Sequence, residues 1–303
     1  MAGPIPGVVY VNGRITDAAT ASVPVFDHGF LYGEGVYETL RTYSREPFLF
    51  DRHMRRLRRS GEMMALPVPF SNDDCLGHVR ETQERFRTAA GAARHGAAED
   101  YIRILLTRGV GELSYKLDAC PVPTLVIIVK ALEAAPAAWF REGMKLALVG
   151  IRRNHPHALN PMIKSNNLLN NALAMQEAYT RGADEALMQN HAGELVECSQ
   201  SNFFLVRDGG IVTPPLSAGL LPGITREYVM EIARETGVPA AEARLTPADL
   251  QAADEAFLTG TTREVTPVAS IDGRPIGAGR PGPITLRLLA AFRERVTPLA
   301  PAR

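Results

Sequence analysis

The spacing of apolar residues predicts a chain of mixed strands and helices. Val8–Val11 and Arg14-Ile15 flank Asn12-Gly13, a dipeptide typical of a tight β-hairpin turn. The stretches 101–109 and 124–130 are rich in β-branched residues and predict two longer strands. Further strands are predicted at 145–151 and 185–190, and a hairpin at 203–214 that turns at Asp208-Gly209-Gly210.

Apolar residues three or four positions apart predict the helices. They are expected at 51 to about 64, 71 or 72 to about 89, about 166 onward, 224–236 and 283–296. Short polar side chains accept hydrogen bonds from the free amides of a helix start. Asp51 is therefore predicted to cap the first helix, and Ser71 or Asn72 the second.

The order of these elements predicts an α+β protein of two domains. Residues 1–130 form the smaller N-terminal domain, and residues 140–303 form the larger C-terminal one. The Ala/Pro-rich stretch 131–139 fits a linker between them. Residues 88–100 are small and are typical of a surface connection.

The composition narrows the class of protein. The 303 residues suffice for one large or two ordinary domains, and 46% of them are hydrophobic. The 33 basic and 33 acidic residues balance, which argues against a nucleic-acid or membrane-surface binder. Cys75, Cys120 and Cys198 are too widely spaced for a zinc motif, so no metal is expected. No stretch has the pattern of a secretory signal or a membrane span, which predicts a cytoplasmic protein.

Lysine is scarce in this chain. Among the 33 basic residues, the lysines are Lys116, Lys130, Lys145 and Lys164. No acidic residue lies within ten positions of Lys164 to hold its proton. An amine can lose its proton and attack a carbonyl, whereas a guanidinium effectively cannot deprotonate. Lys164 is thus a candidate nucleophile or general base, and the alternative is a surface lysine at a helix start.

An acid and an inward-facing arginine add to this chemistry. Glu197 lies between an apolar pair and a Ser/Gln/Asn cluster, directly before a strand, where a carboxylate can face a protonated ring nitrogen. Taken alone, it fits an ordinary loop acid better. Helix 51–64 is rich in arginine, and Arg56 is the one expected to turn inward because it lies beside Leu57.

Two turns have the character of anion sites. A Pro-Gly turn precedes the helix at 224, so the amides of Ile224 and Thr225 should point outward beside a hydroxyl. Alternatively, Thr225 is simply the N-cap. Thr261 and Thr262 follow Gly260 in a second cluster of this kind. An amine, an acid, an arginine and two anion sites match the aldehyde, ring nitrogen and phosphate of pyridoxal 5'-phosphate.

Seven sequence blocks, in order and spacing, resemble the class IV aminotransferases, which are the fold-type IV pyridoxal-phosphate enzymes. The blocks are FDHGFLYGEGVYETLR (26–41), RHMRRLRRS (52–60), YIRILLTRGVGEL (101–113), IKSNNLLNNALAMQEA (163–178), GELVECSQSNFFLV (193–206), GLLPGITR (219–226) and FLTGTTREVTPV (257–268). The resemblance implies a smaller N-terminal α/β domain, a larger C-terminal domain with a β-barrel-like core, pyridoxal 5'-phosphate as cofactor, and a homodimer or higher homo-oligomer.

The resemblance also implies a role for each matching residue. Lys164 matches the lysine that carries the cofactor and moves the proton, and Glu197 matches the acid at the pyridine nitrogen. The other cofactor-binding positions are Arg56, Ile224, Thr225 and Thr261 at the phosphate and Leu221 beneath the ring. The substrate-binding positions are Tyr101, Arg103, Thr261 and Thr262 at the carboxylate, with Tyr32 and Tyr37 at the side-chain pocket, one of these two tyrosines reaching a neighbouring subunit's site.

The subgroup patterns of the family are mixed in this chain. Branched-chain enzymes usually carry a tyrosine five residues after the lysine, where this chain has Leu169. The arginine-x-histidine pair that D-amino-acid transaminases use for the carboxylate is absent after Arg108, where the sequence reads GVGELSYKLDACP. That segment and Tyr101-Ile102-Arg103 resemble the branched-chain group.

The sequence therefore predicts a transaminase that moves the amino group of an apolar, branched-chain type L-amino acid to 2-oxoglutarate. A D-amino-acid or (R)-amine transaminase is the alternative that Leu169 keeps open. A further alternative is an aminodeoxychorismate lyase, which uses the same lysine for elimination. Nucleic-acid binding by the arginine-rich helix would be a function of another class, and the zero net charge and the seven blocks argue against it.

Overall fold

The structure, a computed structural model, describes residues 6–89 and 99–297. The strands are β1 Val8–Val11, β2 Arg14–Asp17, β3 Gly35–Tyr43, β4 Glu46–Pro47, β5 Asp100–Thr107, β6 Thr124–Ala131, β7 Met144–Arg152, β8 Glu185–Gln189, β9 Leu195–Cys198, β10 Asn202–Arg207, β11 Gly210–Thr213, β12 Ala240–Glu242, β13 Glu255–Gly260, β14 Glu264–Ile271 and β15 Arg274–Pro275. The helices are α1 His28–Leu31, α2 Phe50–Glu62, α3 Asn72–Ala89, α4 Ala137–Arg141, α5 Leu169–Thr180, α6 Ile224–Glu235 and α7 Pro283–Val296. Most of the predicted connection at 88–100 lies outside the described residues.

The described chain forms two compact units, and the division is not a single cut in the sequence. Unit 1 holds residues 6–89, 99–133 and 163–167, and unit 2 holds residues 134–162 and 168–297. The segment that carries Lys164 therefore belongs with the N-terminal part of the chain. The domain boundaries expected from the sequence stay a prediction.

Unit 1 is a six-stranded antiparallel sheet with two helices packed on it. The strand order is β2-β1-β6-β5-β3-β4. Helix α2 packs on β3, and α3 packs on β1 and β6. The core between them includes the fully buried side chains of Leu40, Met54, Ile102 and Ile127, and burial of such surface is the main stabilising term. The predicted hairpin at 8–17 is confirmed.

A short segment from later in the chain pairs with the start of β3. Ser165 forms an antiparallel bridge with Val36, and the Asn166 amide donates to the Gly35 carbonyl at 2.9 Å. Residues 164–166 thus pair with the start of β3 through one isolated bridge. This pairing explains why the next helix begins at Leu169 and not near Asn166, as the sequence pattern predicted.

Unit 2 is built around a closed β-barrel of six strands. Strands β10, β13, β14, β7, β8 and β9 pair in that order, and β9 pairs back with β10 through Glu197 and Asn202. Closure leaves no free edge among these strands. The predicted α+β fold with a barrel-like core is therefore confirmed.

One of the two predicted helix caps is confirmed and the other is wrong. Ser71 caps α3, because its Oγ accepts from the Asp74 amide at 3.0 Å. The prediction for Asp51 is wrong: α2 begins one residue earlier, at Phe50, so Asp51 lies inside the first turn. Leu49 occupies the N-cap position without a side-chain hydrogen bond. Within 6–89 and 99–297, no helix is long and apolar enough to cross a membrane.

Candidate active site

The backbone of Lys164 is anchored by two elements of unit 1. Its amide donates to Ser60 Oγ on α2 at 3.1 Å, and its carbonyl accepts from the Tyr37 amide on β3 at 2.9 Å. The side chain is half-buried, and its Nζ lies 4.4 Å from the centre of the Tyr37 ring. A cation over an aromatic face is held by the ring's negative face, so Tyr37 positions the amine of Lys164.

A second cation contacts the same ring. The guanidinium carbon of Arg103 lies 4.0 Å from the centre of the Tyr37 ring. Lys164 and Arg103 therefore place two positive charges within 4.4 Å of one ring centre. An anion is favoured beside two cations that contact one ring. The arrangement suits a substrate that carries a carboxylate next to the group that the amine attacks.

The other predicted substrate residues of unit 1, Tyr101 and Tyr32, have ring contacts with other residues. Tyr101 and Arg103 share the half-buried face of β5, as the strand period predicts. The Tyr101 ring has Lys130 Nζ at 5.6 Å from its centre. Tyr32 follows α1 and packs edge-on against His28, with Tyr115 at 5.1 Å between ring centres.

Arg56 turns inward, as predicted, onto a carboxylate that the sequence analysis did not single out. Its Nε donates to Glu38 Oε1 at 2.7 Å, and a terminal nitrogen donates to Oε2 at 2.6 Å. His53 Nδ1 lies 2.7 Å from the same carboxylate. Complete burial alone raises the pKa of Glu38, but Arg56 and His53 outweigh it and lower the pKa to about 2. Burial lowers the pKa of His53, although Glu38 opposes this.

Glu197 is the buried acid of unit 2. Arg153 Nε donates to its Oε1 at 2.7 Å. The Leu221 amide donates to Oε2 at 3.1 Å, and Asn202 Nδ2 donates to Oε2 at 3.3 Å. Leu221 thus contacts Glu197 through its backbone, and its carbonyl accepts from Asn202 at 3.0 Å. These contacts fix the direction in which the carboxylate points.

Helix α6 begins as an open anion site. Ile224 is its first residue, and Gly223 occupies the N-cap position without a side-chain hydrogen bond. Thr225 lies inside the first turn, so the alternative that it caps the helix is wrong. The amides of the first turn have no partner within the helix, and the helix dipole favours an anion there.

Thr261 and Thr262 lie in the turn between β13 and β14, half-buried. The next residue, Arg263, forms an ion pair with the fully buried Glu185, and its amide donates to the Gly260 carbonyl at 3.1 Å. Glu185 also accepts a hydrogen bond from the Ser199 hydroxyl. One buried carboxylate therefore ties the turn at 261–263 to the turn that follows β9.

Sequence reasoning missed Glu38, Arg153 and Glu185. A signal existed for Glu38, since it occupies a core position in the period-two pattern of β3 and a charged residue there requires a partner. Glu185 opens a strand whose next three residues are apolar, which is a similar signal. Arg153 follows another arginine at a strand end, and nothing in its spacing distinguishes the two.

Each unit, taken by itself, holds groups that fit a part of pyridoxal phosphate. Unit 2 offers a buried carboxylate, Glu197, which suits a protonated pyridine nitrogen, and an uncapped helix start at Ile224, which suits a phosphate. Unit 1 offers the half-buried amine of Lys164 and the buried guanidinium of Arg56. The chemistry of these groups matches an aldehyde, a ring nitrogen and a phosphate.

Comparison with known proteins gives the same family. The family model for amino-transferase class IV matches residues 35–271. A Pseudomonas aeruginosa protein named branched-chain-amino-acid aminotransferase is 33% identical over 296 residues, covering 96% of this chain and 93% of that one. A Listeria monocytogenes protein named D-alanine aminotransferase is 33% identical over 292 residues, covering 95% and 96% of the two chains.

A solved structure extends this likeness to the fold and the cofactor. The T.th. branched-chain amino acid aminotransferase, complexed with N-(5'-phosphopyridoxyl)-L-glutamate, is 32% identical with a TM-score of 0.86. The alignment covers 98% of this chain and 96% of that one. With a family model that spans most of the sequence, the chain belongs to the class IV aminotransferases and is a pyridoxal-phosphate-dependent aminotransferase of fold type IV.

Proposed function

We propose that this aminotransferase moves the amino group of an apolar L-amino acid of the branched-chain type to 2-oxoglutarate. The observation that carries the proposal is the contact of Lys164 and Arg103 with one ring, that of Tyr37. Arg103 offers a partner for the substrate carboxylate, and Tyr37 offers an apolar wall beside the reactive amine. The name of the P. aeruginosa relative supports this donor, and the glutamate adduct in the T.th. enzyme supports this acceptor.

Each residue has a stated task in this reaction. Pyridoxal phosphate supplies a carbonyl for the amine and a ring that accepts the electrons released when the Cα proton leaves. The Lys164 amine would hold the cofactor through this carbonyl and, once it is free, would take the Cα proton as a general base. Glu197 holds a proton at the pyridine nitrogen. Arg56 and the amides of Ile224 and Thr225 bind the phosphate.

The remaining positions complete the cofactor and substrate sites. Leu221 lies beneath the ring, and the Thr261 hydroxyl gives a second phosphate contact. Tyr101 and Thr262 assist Arg103 at the carboxylate. Tyr32 belongs to the side-chain pocket of a neighbouring subunit.

A D-amino-acid or (R)-amine transaminase is the second candidate. Leu169 favours it, because this position is a tyrosine in the usual branched-chain pattern. The L. monocytogenes relative, named D-alanine aminotransferase, is as similar in sequence as the P. aeruginosa one. A carboxylate partner at Arg103 disfavours an amine without a carboxylate, and the resemblance of Tyr101-Ile102-Arg103 to the branched-chain group supports the L-amino acid.

A half-reaction screen tests the donor. The rate at which the cofactor absorbance changes is measured with L-leucine, D-alanine and (R)-1-phenylethylamine, without a keto acid. The proposal expects the highest rate with L-leucine, and a preference for either other donor would overturn it. Arg103→Met sharpens the test, because it should slow L-leucine strongly and (R)-1-phenylethylamine little, since that amine has no carboxylate to bind.

An elimination reaction is tested separately. An aminodeoxychorismate lyase would release pyruvate from its substrate without an added keto acid. We expect no such release, because the transaminase returns to its starting form only when a second keto acid accepts the amino group. Adding 2-oxoglutarate should restore turnover with L-leucine.

We propose that the enzyme works as a homodimer, and an apolar surface of unit 1 supports this. The Gly111 amide donates to the Phe26 carbonyl at 3.2 Å, so segments 23–32 and 110–122 run side by side. This surface, here called the apolar patch, exposes the side chains of Val25, Phe26, Phe30, Leu113, Tyr115, Leu117 and Val122. Phe30 is 73% exposed and Tyr115 is 83% exposed. Clustered apolar residues of this size are typical of a surface that binds another protein.

A further inference from the structure

Arg153 is a buried charge for which the proposed roles give no reason. It follows β7 directly, and its own amide donates to the Gln189 carbonyl on β8 at 2.9 Å. Its Nε donates to Glu197 Oε1 at 2.7 Å, and another nitrogen donates to Asn170 Oδ1 at 3.1 Å. Both the backbone and the guanidinium of Arg153 are therefore fixed, and the side chain is 9% exposed.

The two oxygens of Glu197 have donors of different kinds. Oε1 faces the cation of Arg153, whereas Oε2 accepts from the neutral amides of Leu221 and Asn202. Charge-assisted hydrogen bonds are about twice as strong as neutral ones. Burial alone favours the neutral form of a carboxyl group, so Arg153 is the contact that most favours the carboxylate.

This difference bears on where a shared proton lies. A carboxyl group and a pyridine nitrogen that share one proton can exist as an ion pair or as a neutral pair. A buried environment favours the neutral pair, with the proton on the carboxyl group. A fixed guanidinium on the far side of the carboxylate shifts the balance towards the ion pair, with the proton on the nitrogen.

We propose that Arg153 is a positioning residue that keeps Glu197 ionised and oriented, so that the pyridine nitrogen carries the proton. Asn170, in the first turn of α5, holds the guanidinium in place. The inference rests on the proposed function of Glu197 as the acid at that nitrogen. Arg153 has no role in the proposed reaction itself, but it decides whether the shared proton lies on the pyridine nitrogen or on Glu197.

The neighbouring arginine provides a matched control. Arg152 is exposed and donates to the Gln189 side chain, whereas Arg153 is buried against Glu197. Arg152→Gln and Arg153→Gln each remove one positive charge, and the two positions are neighbours in the chain. Only the change at Arg153 should alter the state of the cofactor nitrogen.

The experiment reads that nitrogen directly in the resting holoenzyme. Enzyme loaded with pyridoxal phosphate labelled with ¹⁵N in the ring is studied by NMR at neutral pH, without substrate. Arg153→Gln should lower the ratio of protonated to unprotonated nitrogen by about tenfold or more. Arg153→Lys should restore most of the ratio because it restores the charge, and Arg152→Gln should leave it at the wild-type value.

Three outcomes separate the possibilities. An unchanged ratio in Arg153→Gln, while Glu197→Gln lowers it, would overturn the role of Arg153 and leave that of Glu197. An unchanged ratio in Glu197→Gln would overturn the proposed function of Glu197 itself. If Arg153→Gln yields no folded holoenzyme, Arg153→Met decides, since it also removes the charge but keeps most of the apolar length of the side chain: a lowered ratio supports the proposal and an unchanged one refutes it.

Discussion

Gly223 and Asn202 are packed so closely that no side chain fits at residue 223. A Cβ atom there would lie 1.8 Å from Asn202 Oδ1, far inside van der Waals contact. Asn202 is buried and also donates to Glu197, and Gly223 is the residue from which α6 starts. The acid of unit 2 and its helix start are thus coupled through one steric contact.

Gly223→Ala should therefore weaken the retention of pyridoxal phosphate. The added methyl group must displace Asn202 or the first turn of α6, so we expect the dissociation constant to rise by about tenfold or more, as for overpacking costs of a few kcal/mol. Titration of cofactor into the freed enzyme, followed by absorbance, measures it. Gly77→Ala is the control, because a Cβ at Gly77 meets nothing within 4 Å and retention should not change.

A second substitution tests the cause. Asn202→Ala removes the atom that the new methyl group would strike. In a Gly223→Ala background it should recover part of the lost affinity if the clash is the cause. Equal or worse affinity in the double variant would show that the effect does not pass through Asn202.

Lys164→Arg should abolish turnover while the protein stays folded. Arginine keeps the charge beside Tyr37 but cannot act as the amine nucleophile. Borohydride reduction of the wild type should fix the cofactor to the peptide that contains Lys164. Label on the peptide of Lys116, Lys130 or Lys145 would contradict the assignment, and Lys145→Arg should remain active as the control.

Glu38→Gln should lower the free energy of unfolding of unit 1. It should also make that free energy fall less steeply as the pH is lowered. The pKa of Glu38 falls from the ordinary 4.5 to about 2, so its stabilising effect is present above pH 4.5 and is lost as the pH falls towards 2. The lowered pKa of His53 acts in the same direction below its ordinary 6.5. We expect a loss of about 3 kcal/mol at neutral pH, because the buried Arg56 loses its charged partner.

Urea unfolding midpoints between pH 7 and about pH 2 measure this effect. The wild type should lose stability more steeply on acidification than Glu38→Gln. Glu46→Gln is the matched control, since Glu46 pairs with Arg80 at an exposed position and its loss should change the midpoint little. Parallel curves for wild type and Glu38→Gln would argue against the assigned pKa.

The apolar patch should be needed for dimer formation. Phe30→Glu combined with Leu113→Glu places two charges on it, and charged groups are costly to bury in an interface. We expect sedimentation to change from a dimer to a monomer. Tyr179→Glu, an exposed aromatic position of unit 2, is the control and should leave the dimer intact. A dimer that survives both changes on the patch would place the interface elsewhere.

The elements with a strong local signal could be predicted from the sequence, and those set by distant contacts could not. The hairpin at Asn12-Gly13 depends on two residues that adopt positive φ, at 43° and 92°, which their types permit. The start of α5 could not be predicted, because residues up to Asn166 pair with β3, far away in sequence. The prediction that Asp51 caps α2 is wrong because Leu49, with φ 53°, occupies the N-cap position and the helix begins at Phe50.

The candidate site follows the same rule. Lys164, Glu197 and Arg56 stand in recognisable blocks, so their positions could be read from the sequence. Their partners could not, because Arg153 meets Glu197 across 44 positions and Glu38 meets Arg56 across 18. Which buried charge pairs with which depends on strand register, and one residue of register shift turns every side chain to the other face.

The pairing of segment 163–167 with β3 limits when unit 1 can be completed during synthesis. A chain leaves the ribosome from its N-terminus, so residues 6–133 emerge before the segment that pairs with β3. Until residues 134–162 have followed, the Tyr37 amide and the Gly35 carbonyl lack their native partners. A translation product interrupted at residue 133 would carry the arginines of unit 1 but not Lys164, the proposed nucleophile. Unit 1 is therefore completed by residues 163–167 only after residues 134–162 of unit 2 have been synthesised.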